Sequence, residues 1–436
     1  MFYSIFKYLS VLFLCMDESI SDKITKSCEF LVKRQNINGT WDAKTSSKYK
    51  EPNTYEKELV ITSQCINILL FSNSPKYVDN INKALNYCFN YKLEKREPIE
   101  WWAWRLSALK FSNNQLYVKE QKKMIDFLRE RQENGIWMKF PGTFNLTNYC
   151  IIFALNGFNC NKTFDESIKW FRKNISRDEN GWGYGEKSDI SHETFTSNVI
   201  MAMLIAGEDP NSKQLQKARR YLESAQNKDG SWCSSELSIK KPTTYATSLA
   251  ILSLMMLSNN PFNKKVKDAV EYLKKCQNKD GGWPLIMKGE SDSYTTFYAI
   301  MALKFYSYLK EKYKSDMYKQ IRQKIEPQNF SALMFSQMFK DIKEHFRIMS
   351  IEEIIDSKLL GNSNSIIKRR REILKILSEE GEKTVAEVID SLKMLPAYSH
   401  LNKRAHMTQI KLDLSHLNQV KLVNKIKDVY FVTINF

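Results

Sequence analysis

The stretch YLKKCQNKDGGW, from Tyr272 to Trp283, recurs along this chain of 436 residues. Close copies are FLVKRQNINGTW, which ends at Trp41, and YLESAQNKDGSW, which ends at Trp232, and looser copies end at Trp137 and Trp182. The last four of these tryptophans lie 45, 50 and 51 residues apart. Such a period is typical of repeat architectures, so most of the chain is predicted to be a repeat protein.

Each copy combines the end of a helix with a turn. Before Tyr272, the residues Val266, Ala269, Val270 and Leu273 fall on one helical face, and lysines occupy the other. The glycine that follows can adopt the left-handed conformation that ends a helix. The glutamine amide can then bond the freed backbone groups, and the tryptophan adds apolar area to the core.

A second, more apolar helix is predicted after each turn, as in TTYATSLAILSLMML from Thr243. Helices that are apolar nearly all round are buried, whereas the lysine-rich ones face solvent. A degenerate pair that contains WWAWRLSALKF, from Trp101, lacks the turn but completes six outer and six inner helices. The chain is therefore predicted to be mostly α, with a closed (α/α)6 double ring over residues 16–310, since closure removes the exposed ends of an open array.

The repeat resembles the Gln-Trp motif of squalene and terpene cyclases. The whole arrangement resembles the α/α toroid that these enzymes share with protein prenyltransferase β-subunits. The resemblance implies that any chemistry takes place at the inner-helix N-termini, around a central cavity.

The catalytic motifs implied by this resemblance are not matched. Cyclases that protonate a polyene use an Asp-x-Asp-Asp motif, and the equivalent stretch here is Asp292-Ser-Tyr294-Thr. Tyr294 replaces the proton donor, and a phenol with a reference pKa of about 10 is a poor acid for an alkene. The chain also has no Asp-Asp pair to hold Mg²⁺ on a diphosphate. We therefore assign no catalytic residue and no cofactor, and expect the ring not to be an active enzyme.

A zinc site of the prenyltransferase kind is also disfavoured. Asp292 and His192 lie at predicted inner-helix starts, but Tyr294 stands where that family has a cysteine. Zinc held by Asp189, His192, Cys233 and Asp292 is the alternative. A simpler interpretation is that His192 and Asp292 cap inner helices, so no metal site is predicted.

The predicted cavity has an aromatic lining that suits an apolar or isoprenoid ligand, or a partner protein. The competing interpretation is that most of these rings simply pack between helices. The candidate cavity residues are Trp101, Trp102, Trp104, Tyr149, His192, Phe195, Tyr245, Asp292, Tyr294 and Tyr298.

The positive net charge of the chain can be interpreted in two ways. A formal net charge of +17 favours a polyanionic partner, but lysines that merely solvate outer helices explain it equally well. Eight scattered cysteines without a C-x-x-C pair indicate reduced thiols in a cytoplasmic protein. Residues 1–15 are an apolar leader or precede the true start, and they are too short for a confident membrane span. Membrane contact is accordingly disfavoured.

The pattern changes after the repeats. Residues 311–365 are predicted to be a helical connector and linker, and residues 366–436 to be three helices followed by a two-stranded hairpin. Thr384 is predicted to cap the second of these helices, with Glu387 completing a capping box. This order resembles a winged helix-turn-helix domain of the bacterial regulator type. Leu412, Leu414 and Leu417 are its expected core residues on the third helix.

If this domain binds DNA, its third helix is expected to enter the major groove. Asp413 is expected on that face, where it would repel phosphate, and docking of a protein rather than DNA is the competing interpretation. The candidate DNA-binding residues are Arg369, Arg370, Arg371, Thr408, Gln409, Lys411, His416, Lys425 and Lys427.

Taken together, the sequence favours a bacterial, cytoplasmic, non-catalytic toroid that binds a ligand or protein and is coupled to a DNA-binding winged helix. It would act as a regulator or as a component of a DNA-associated complex. An enzyme acting on an isoprenoid or peptide is one alternative, and a structural scaffold for protein interactions is the other.

Overall fold

The computed structural model describes residues 18–42, 58–72, 74–111, 115–137, 144–234, 239–258, 260–315, 327–359, 364–380, 383–398, 403–419, 423–426 and 429–432. The chain forms two compact units. The first comprises residues 1–111 and 116–344, and the second comprises residues 112–115 and 345–436. Among the described residues, no helix combines the length and the apolarity needed to cross a membrane. The seven cysteines that are described are free thiols.

Two concentric layers of helices make up the first unit. The outer helices are α1 (Glu18–Val32), α3 (Val78–Asn90), α5 (Gln115–Glu130), α7 (Asn161–Lys173), α9 (Lys213–Ala225) and α11 (Lys264–Cys276). The inner helices are α2 (Glu58–Phe71), α4 (Ile99–Leu109), α6 (Phe144–Leu155), α8 (Glu193–Ile205), α10 (Thr244–Leu257) and α12 (Ser293–Lys314). This alternation agrees with the predicted six pairs.

The inner helices form a closed ring. Each packs against the next in chain order, and α12 packs against α2. The last repeat also joins the first outer helix, because the Gln277 amide donates to the Lys23 carbonyl at 2.9 Å. At the same junction the Ser27 hydroxyl donates to the Gly281 carbonyl at 2.8 Å. The predicted (α/α)6 toroid is thus confirmed.

The recurring turns fasten the outer layer to the inner one. The Trp283 indole donates to the Leu273 carbonyl at 2.8 Å, which satisfies a group at the end of α11. Its backbone N–H donates to the Thr296 hydroxyl of α12 at 2.9 Å. Equivalent bonds join Trp232 to Leu222 and Thr247. The tryptophan therefore belongs to the core of the repeat, as predicted.

Two short hairpins position the starts of the last two inner helices. Strands β1 (Trp232–Ser234) and β2 (Ile239–Thr243) pair antiparallel, as do β3 (Trp283–Pro284) and β4 (Ser291–Asp292). In each hairpin the repeat tryptophan pairs with the residue that caps the inner helix, Thr243 or Asp292. The repeat turn thereby holds the cap residue in register.

The first unit continues beyond the predicted boundary at residue 310. The first part of α13 (Pro327–Leu359) brings Phe339 against Phe71 at 5.8 Å and Phe153 at 5.3 Å between ring centroids. Those two rings belong to α2 and α6, which are separated in the ring by α4. Phe339 therefore lies inside the ring, at the C-terminal end of its inner helices.

The second unit has its own core. Helices α14 (Asn364–Glu380), α15 (Val385–Lys393) and α16 (Lys403–Gln419) accompany strands β5 (Lys383–Thr384), β6 (Val423–Ile426) and β7 (Val429–Val432). The sheet is antiparallel with the order β5, β7, β6. Thr384 caps α15 in a capping box with Glu387, as predicted. Of the predicted connector and linker 311–365, residues 316–326 and 360–363 lie outside the described residues, and residues 364 and 365 begin α14.

Candidate functional sites

Asp292 lies at the N-terminus of α12, at the place where the resembled enzymes carry out chemistry. Its side chain accepts from the Thr295 backbone N–H at 2.6 Å, so the predicted capping role is confirmed. The carboxyl group is 9% exposed. Burial raises its pKa to about 6, although the cap bonds at Thr295 and Tyr294 act in the opposite direction.

Three tyrosines of α10 and α12 cluster together. The Tyr298 ring lies 4.9 Å from that of Tyr245 and 5.1 Å from that of Tyr294, and the Tyr245 and Tyr294 rings are 5.3 Å apart. Tyr149 and Tyr298 are fully buried, and burial raises the pKa of both phenols. Tyr149 and Tyr298 are therefore neutral aromatic groups in the ring rather than acids.

Asp189 and Asp292, two of the four side chains considered for zinc, are used in other ways. Asp189 is exposed and pairs with Arg177 at 2.9 Å, and Asp292 caps its helix. His192 occupies the N-cap position of α8, as predicted, but its side chain makes no hydrogen bond to the first turn of that helix. Its ring lies 6.0 Å from Phe195. Among the described residues, no group of three or more acidic, cysteine or histidine side chains could hold a metal ion.

The three predicted tryptophans do not share one environment. Trp104 lies 5.7 Å from Phe297 of α12 and 6.3 Å from Phe153 of α6. Because α2 separates α4 from α12 in the ring, Trp104 points into the interior. Trp102 instead stacks on Phe127 of outer helix α5 at 4.1 Å, so its assignment to the cavity is wrong. Trp101 is buried.

The sequence analysis identified Trp104 and Tyr298 as interior residues but missed the two amides, Gln64 and Asn198, at matching positions on other inner helices. On α2, α8, α10 and α12 a threonine hydroxyl bonds the repeat turn, and the residue two places later lies about 200° around the helix from it, towards the ring axis. We call these residues, with Trp104 of α4, the interior layer. It consists of Gln64, Trp104, Asn198, Leu249 and Tyr298.

Most of the interior layer has unused hydrogen-bonding capacity. Gln64, Trp104, Asn198 and Tyr298 are each at most 3% exposed. Both amide atoms of Gln64 and Asn198, the Trp104 indole nitrogen and the Tyr298 hydroxyl have no hydrogen-bond partner among the described residues. An amide within an otherwise apolar helix, such as Gln64 in ELVITSQCINILLF, is the sequence signal that could have revealed this layer.

A buried lysine lies near the opposite end of the ring. Lys110 is 6% exposed, donates to the Phe153 carbonyl at 3.3 Å, and lies 5.2 Å from the Phe339 ring. Burial, with a smaller contribution from Lys343, lowers its pKa to about 7. No counter-charge for Lys110 is found among the described residues within ion-pair distance.

In the second unit, the candidate interface is the outer face of α16. Thr408, Gln409 and Lys411 are exposed as predicted, whereas His416 is only half-buried at the edge of that face. Leu412, predicted as core, is 57% exposed in the middle of this face. The helix buries Ile410, Leu414 and Leu417 instead, because these residues share the opposite stripe.

The predicted arginine cluster is directed inwards. Arg369 and Arg370 donate from their Nε atoms to the two Asp413 oxygens, at 2.5 and 2.9 Å. Asp413 is fully buried, so its expected exposure to phosphate is wrong. Because a buried carboxylate needs compensating charge, these two arginines stabilise the unit, and their predicted role in binding phosphate is corrected. The Arg371 and Lys425 side chains and all of Lys427 lie outside the described residues.

A groove adjoins the exposed face of α16. It has a volume of about 680 Å³ and lies between α16, the start of α15 and Tyr430 of β7. Its lining mixes hydroxyl groups and apolar side chains around one cation, namely Thr384, Val385, Ala386, Met407, Thr408, Lys411, Leu412, Ser415 and Tyr430. Such a lining can contact both apolar and polar groups of a partner.

Comparison with known proteins gives the same picture of the first unit. The prenyltransferase alpha-alpha toroid domain matches residues 69–329. A type II terpene cyclase from Scytonema, solved with geranylgeranyl dihydroxybenzoate, is 13% identical with a TM-score of 0.46, over 66% of this chain and 97% of that one. Protein geranylgeranyltransferase-I from Candida albicans, complexed with GGPP, is 15% identical with a TM-score of 0.45. The match covers 64% of this chain and 90% of that one. The comparison with curated protein sequences found no match.

Proposed function

Because this chain belongs to the prenyltransferase alpha-alpha toroid family, we propose that its ring retains the family's capacity to hold a ligand in the interior but does not catalyse. We further propose that its C-terminal unit is a winged helix that binds DNA. The protein would then be a cytoplasmic regulator or a component of a DNA-associated complex. Ligand binding can influence DNA binding only if the ligand has different affinities for two arrangements of the protein.

The non-catalytic role of the ring rests on how its acid is used. Asp292 accepts a backbone bond in the first turn of α12, and Tyr294 occupies the position of the donor acid in the resembled cyclases. A phenol, with a reference pKa of about 10, is a poor proton donor to an alkene. These features favour binding over turnover.

The observation that carries the DNA proposal is the composition of the exposed face of α16. Thr408, Gln409 and Lys411 are exposed on a helix whose opposite stripe is core. Such side chains bond base edges and phosphates, while an exposed Leu412 suits contact with a thymine methyl group. The order of helices and the β5, β7, β6 sheet support the proposed winged helix, in which this third helix would enter the major groove.

A salt series on the full chain tests this proposal. We expect duplex DNA to bind with an affinity that falls as salt rises, because counterions are released from phosphates. Lys411→Ala should weaken binding and reduce the salt slope by about one unit. Lys275→Ala, which removes an exposed lysine from outer helix α11, is the charge-matched control. Equal effects of the two substitutions would show that only net charge attracts DNA.

The second candidate function is an enzyme that uses Asp292 as an acid. The observation that favours it is the buried carboxyl group, whose raised pKa of about 6 keeps it protonated in mildly acidic solution. This function predicts products from geranylgeranyl diphosphate that appear below pH 6 and diminish above it. Asp292→Asn should abolish them while preserving the helix cap, since asparagine also caps well. The absence of products from a folded protein would exclude this activity.

A further inference from the structure

The interior of the ring contains more hydrogen-bonding capacity than the protein itself uses. Gln64 of α2, Asn198 of α8 and Tyr298 of α12 come from three inner helices that are spread around the ring. All three are fully or almost fully buried, and their polar side-chain atoms have no partner among the described residues. Burying such groups unpaired is costly, and native proteins rarely do so without a reason.

The unpaired groups lie at one level. Gln64, Asn198 and Tyr298 each follow by two residues the threonine that bonds a repeat turn, namely Thr62, Thr196 and Thr296. Matching positions on parallel inner helices lie at matching heights in the ring. Trp104 joins them from α4, and its contact with Phe297 across α2 fixes its direction. The unused donors and acceptors therefore share one level on the inward faces of the inner helices rather than being scattered through the core.

The chemistry of this layer indicates the head group of a ligand. Two amides and a phenol each offer both a donor and an acceptor, and the indole adds a donor. All four side chains are uncharged, whereas a buried ionised group would need a compensating charge. Leu249 and the rings of Tyr298 and Trp104 supply apolar contact at the same level.

From this arrangement we infer that the ring interior binds an otherwise apolar molecule through a neutral head group that both donates and accepts hydrogen bonds, either a hydroxyl or an amide. The inference rests on the proposed ligand-binding role of the ring and specifies the chemistry that it selects. A plain hydrocarbon would leave the interior layer unpaired, and a diphosphate would lack compensating charge in it.

Matched probes test the inference by isothermal titration with the full chain. Farnesol, the primary amide of farnesoic acid, and farnesene share an apolar body and differ in the head group. We expect farnesol or the amide to bind at least about tenfold more tightly than farnesene, which corresponds to one added hydrogen bond. The tighter of the two identifies the head group.

Conservative variants locate the binding site. Tyr298→Phe and Gln64→Met remove only unpaired polar atoms, so the ring should fold and farnesene binding should not change. Each substitution should weaken the binding of farnesol or of the amide, whichever binds more tightly to the unchanged protein, by about tenfold. Ser63→Ala is the matched control, because this equally buried neighbour already donates to the Leu59 carbonyl at 2.8 Å.

The outcomes separate this inference from the proposed function. Equal binding of all three probes, or polar binding that is unchanged in Tyr298→Phe and Gln64→Met, would overturn the inference and leave an apolar ligand-binding ring. Tighter binding of farnesyl diphosphate than of farnesol would overturn the inference that the head group of the ligand is neutral. If none of the probes binds the folded protein, the ring's proposed role with isoprenoid ligands fails as well.

Discussion

The turns of the ring and the interior layer bury similar polar groups but treat them differently. At each turn the hydrogen-bonding groups are paired, as Trp283 shows with Leu273 on one side and Thr296 on the other. In the interior layer, Gln64 and Asn198 leave both amide atoms unpaired among the described residues. Paired groups hold the architecture together, whereas unpaired groups in the same ring are available to a ligand.

The same contrast occurs in the C-terminal unit. Asp413, Arg369 and Arg370 satisfy one another beneath α16. Thr408 and Lys411, on the opposite side of that helix, face outwards. Basic residues near one another in sequence can therefore serve either stability or recognition. Those that lie beside a buried carboxylate such as Asp413 pair with it and stabilise the fold, whereas the others remain available to a partner.

The largest expected effect is the loss of a turn. Gly281 has a φ of +94°, and a Cβ atom there would overlap the Lys26 carbonyl of α1. Gly281→Ala should lower the free energy of unfolding by about 4 kcal/mol, because it combines backbone strain with a clash at the ring junction. Urea unfolding measures the change. Gly157→Ala, at φ +93° with nothing within 4 Å, should cost only about 1 kcal/mol and isolates the strain.

The next effect concerns the buried ion pairs of the C-terminal unit. Asp413→Asn should destabilise that unit by about 3 kcal/mol, because two largely buried guanidinium groups lose their counter-charge. Hydrogen exchange of peptides within residues 364–419 reports the loss. Asp390→Asn, on an exposed position of α15, should change it by less than about 0.5 kcal/mol. Equal exchange in the two variants would contradict a structural role for Asp413.

A smaller, pH-dependent effect is expected from Lys110. In the unfolded chain this lysine keeps its proton up to about pH 10.5, whereas the folded protein releases it near pH 7. The unfolded state therefore binds more protons between these values, and stability should rise with pH across that range. Lys110→Met should remove this rise, which is of the order of 3 kcal/mol between pH 7 and 9.5. Chemical unfolding of both proteins at pH 7 and 9.5 checks it, and parallel pH profiles would contradict the assignment.

The smallest expected effect on the free energy of unfolding concerns the interior layer. Its sign is opposite to that of the Gly281 and Asp413 substitutions, because stability is not expected to fall. Asn198→Leu replaces unpaired polar atoms by an apolar side chain of similar size. The free energy of unfolding without ligand should be unchanged or should rise by about 1 kcal/mol. Thermal unfolding of the ligand-free protein measures it. A clear loss of stability would mean that Asn198 is needed by the fold, which would remove the contrast with the turns.

The periodic features of the chain were predictable. The helix pairs, the closed ring, the Asp292 cap and the Thr384 capping box all follow from local patterns that depend on a few neighbouring residues. Trp102 and Leu412 were assigned wrongly because hydrophobicity alone does not say which face of a helix a residue occupies. Asp413 was misplaced because its partners lie more than 40 residues away.

The sequence by itself determined the architecture, because each repeat carries its own helix, turn and tryptophan and no distant information is needed to form the pair. Through the resemblance to the cyclases, it also predicted that Tyr294 stands where those enzymes have their proton-donating acid. Only the tertiary structure decided which polar groups remain unpaired, since Gln64, Asn198 and Tyr298 come to line one interior only through ring closure. It likewise decided that Arg369 and Arg370 serve Asp413, because burial of that carboxylate in the folded unit requires their charge.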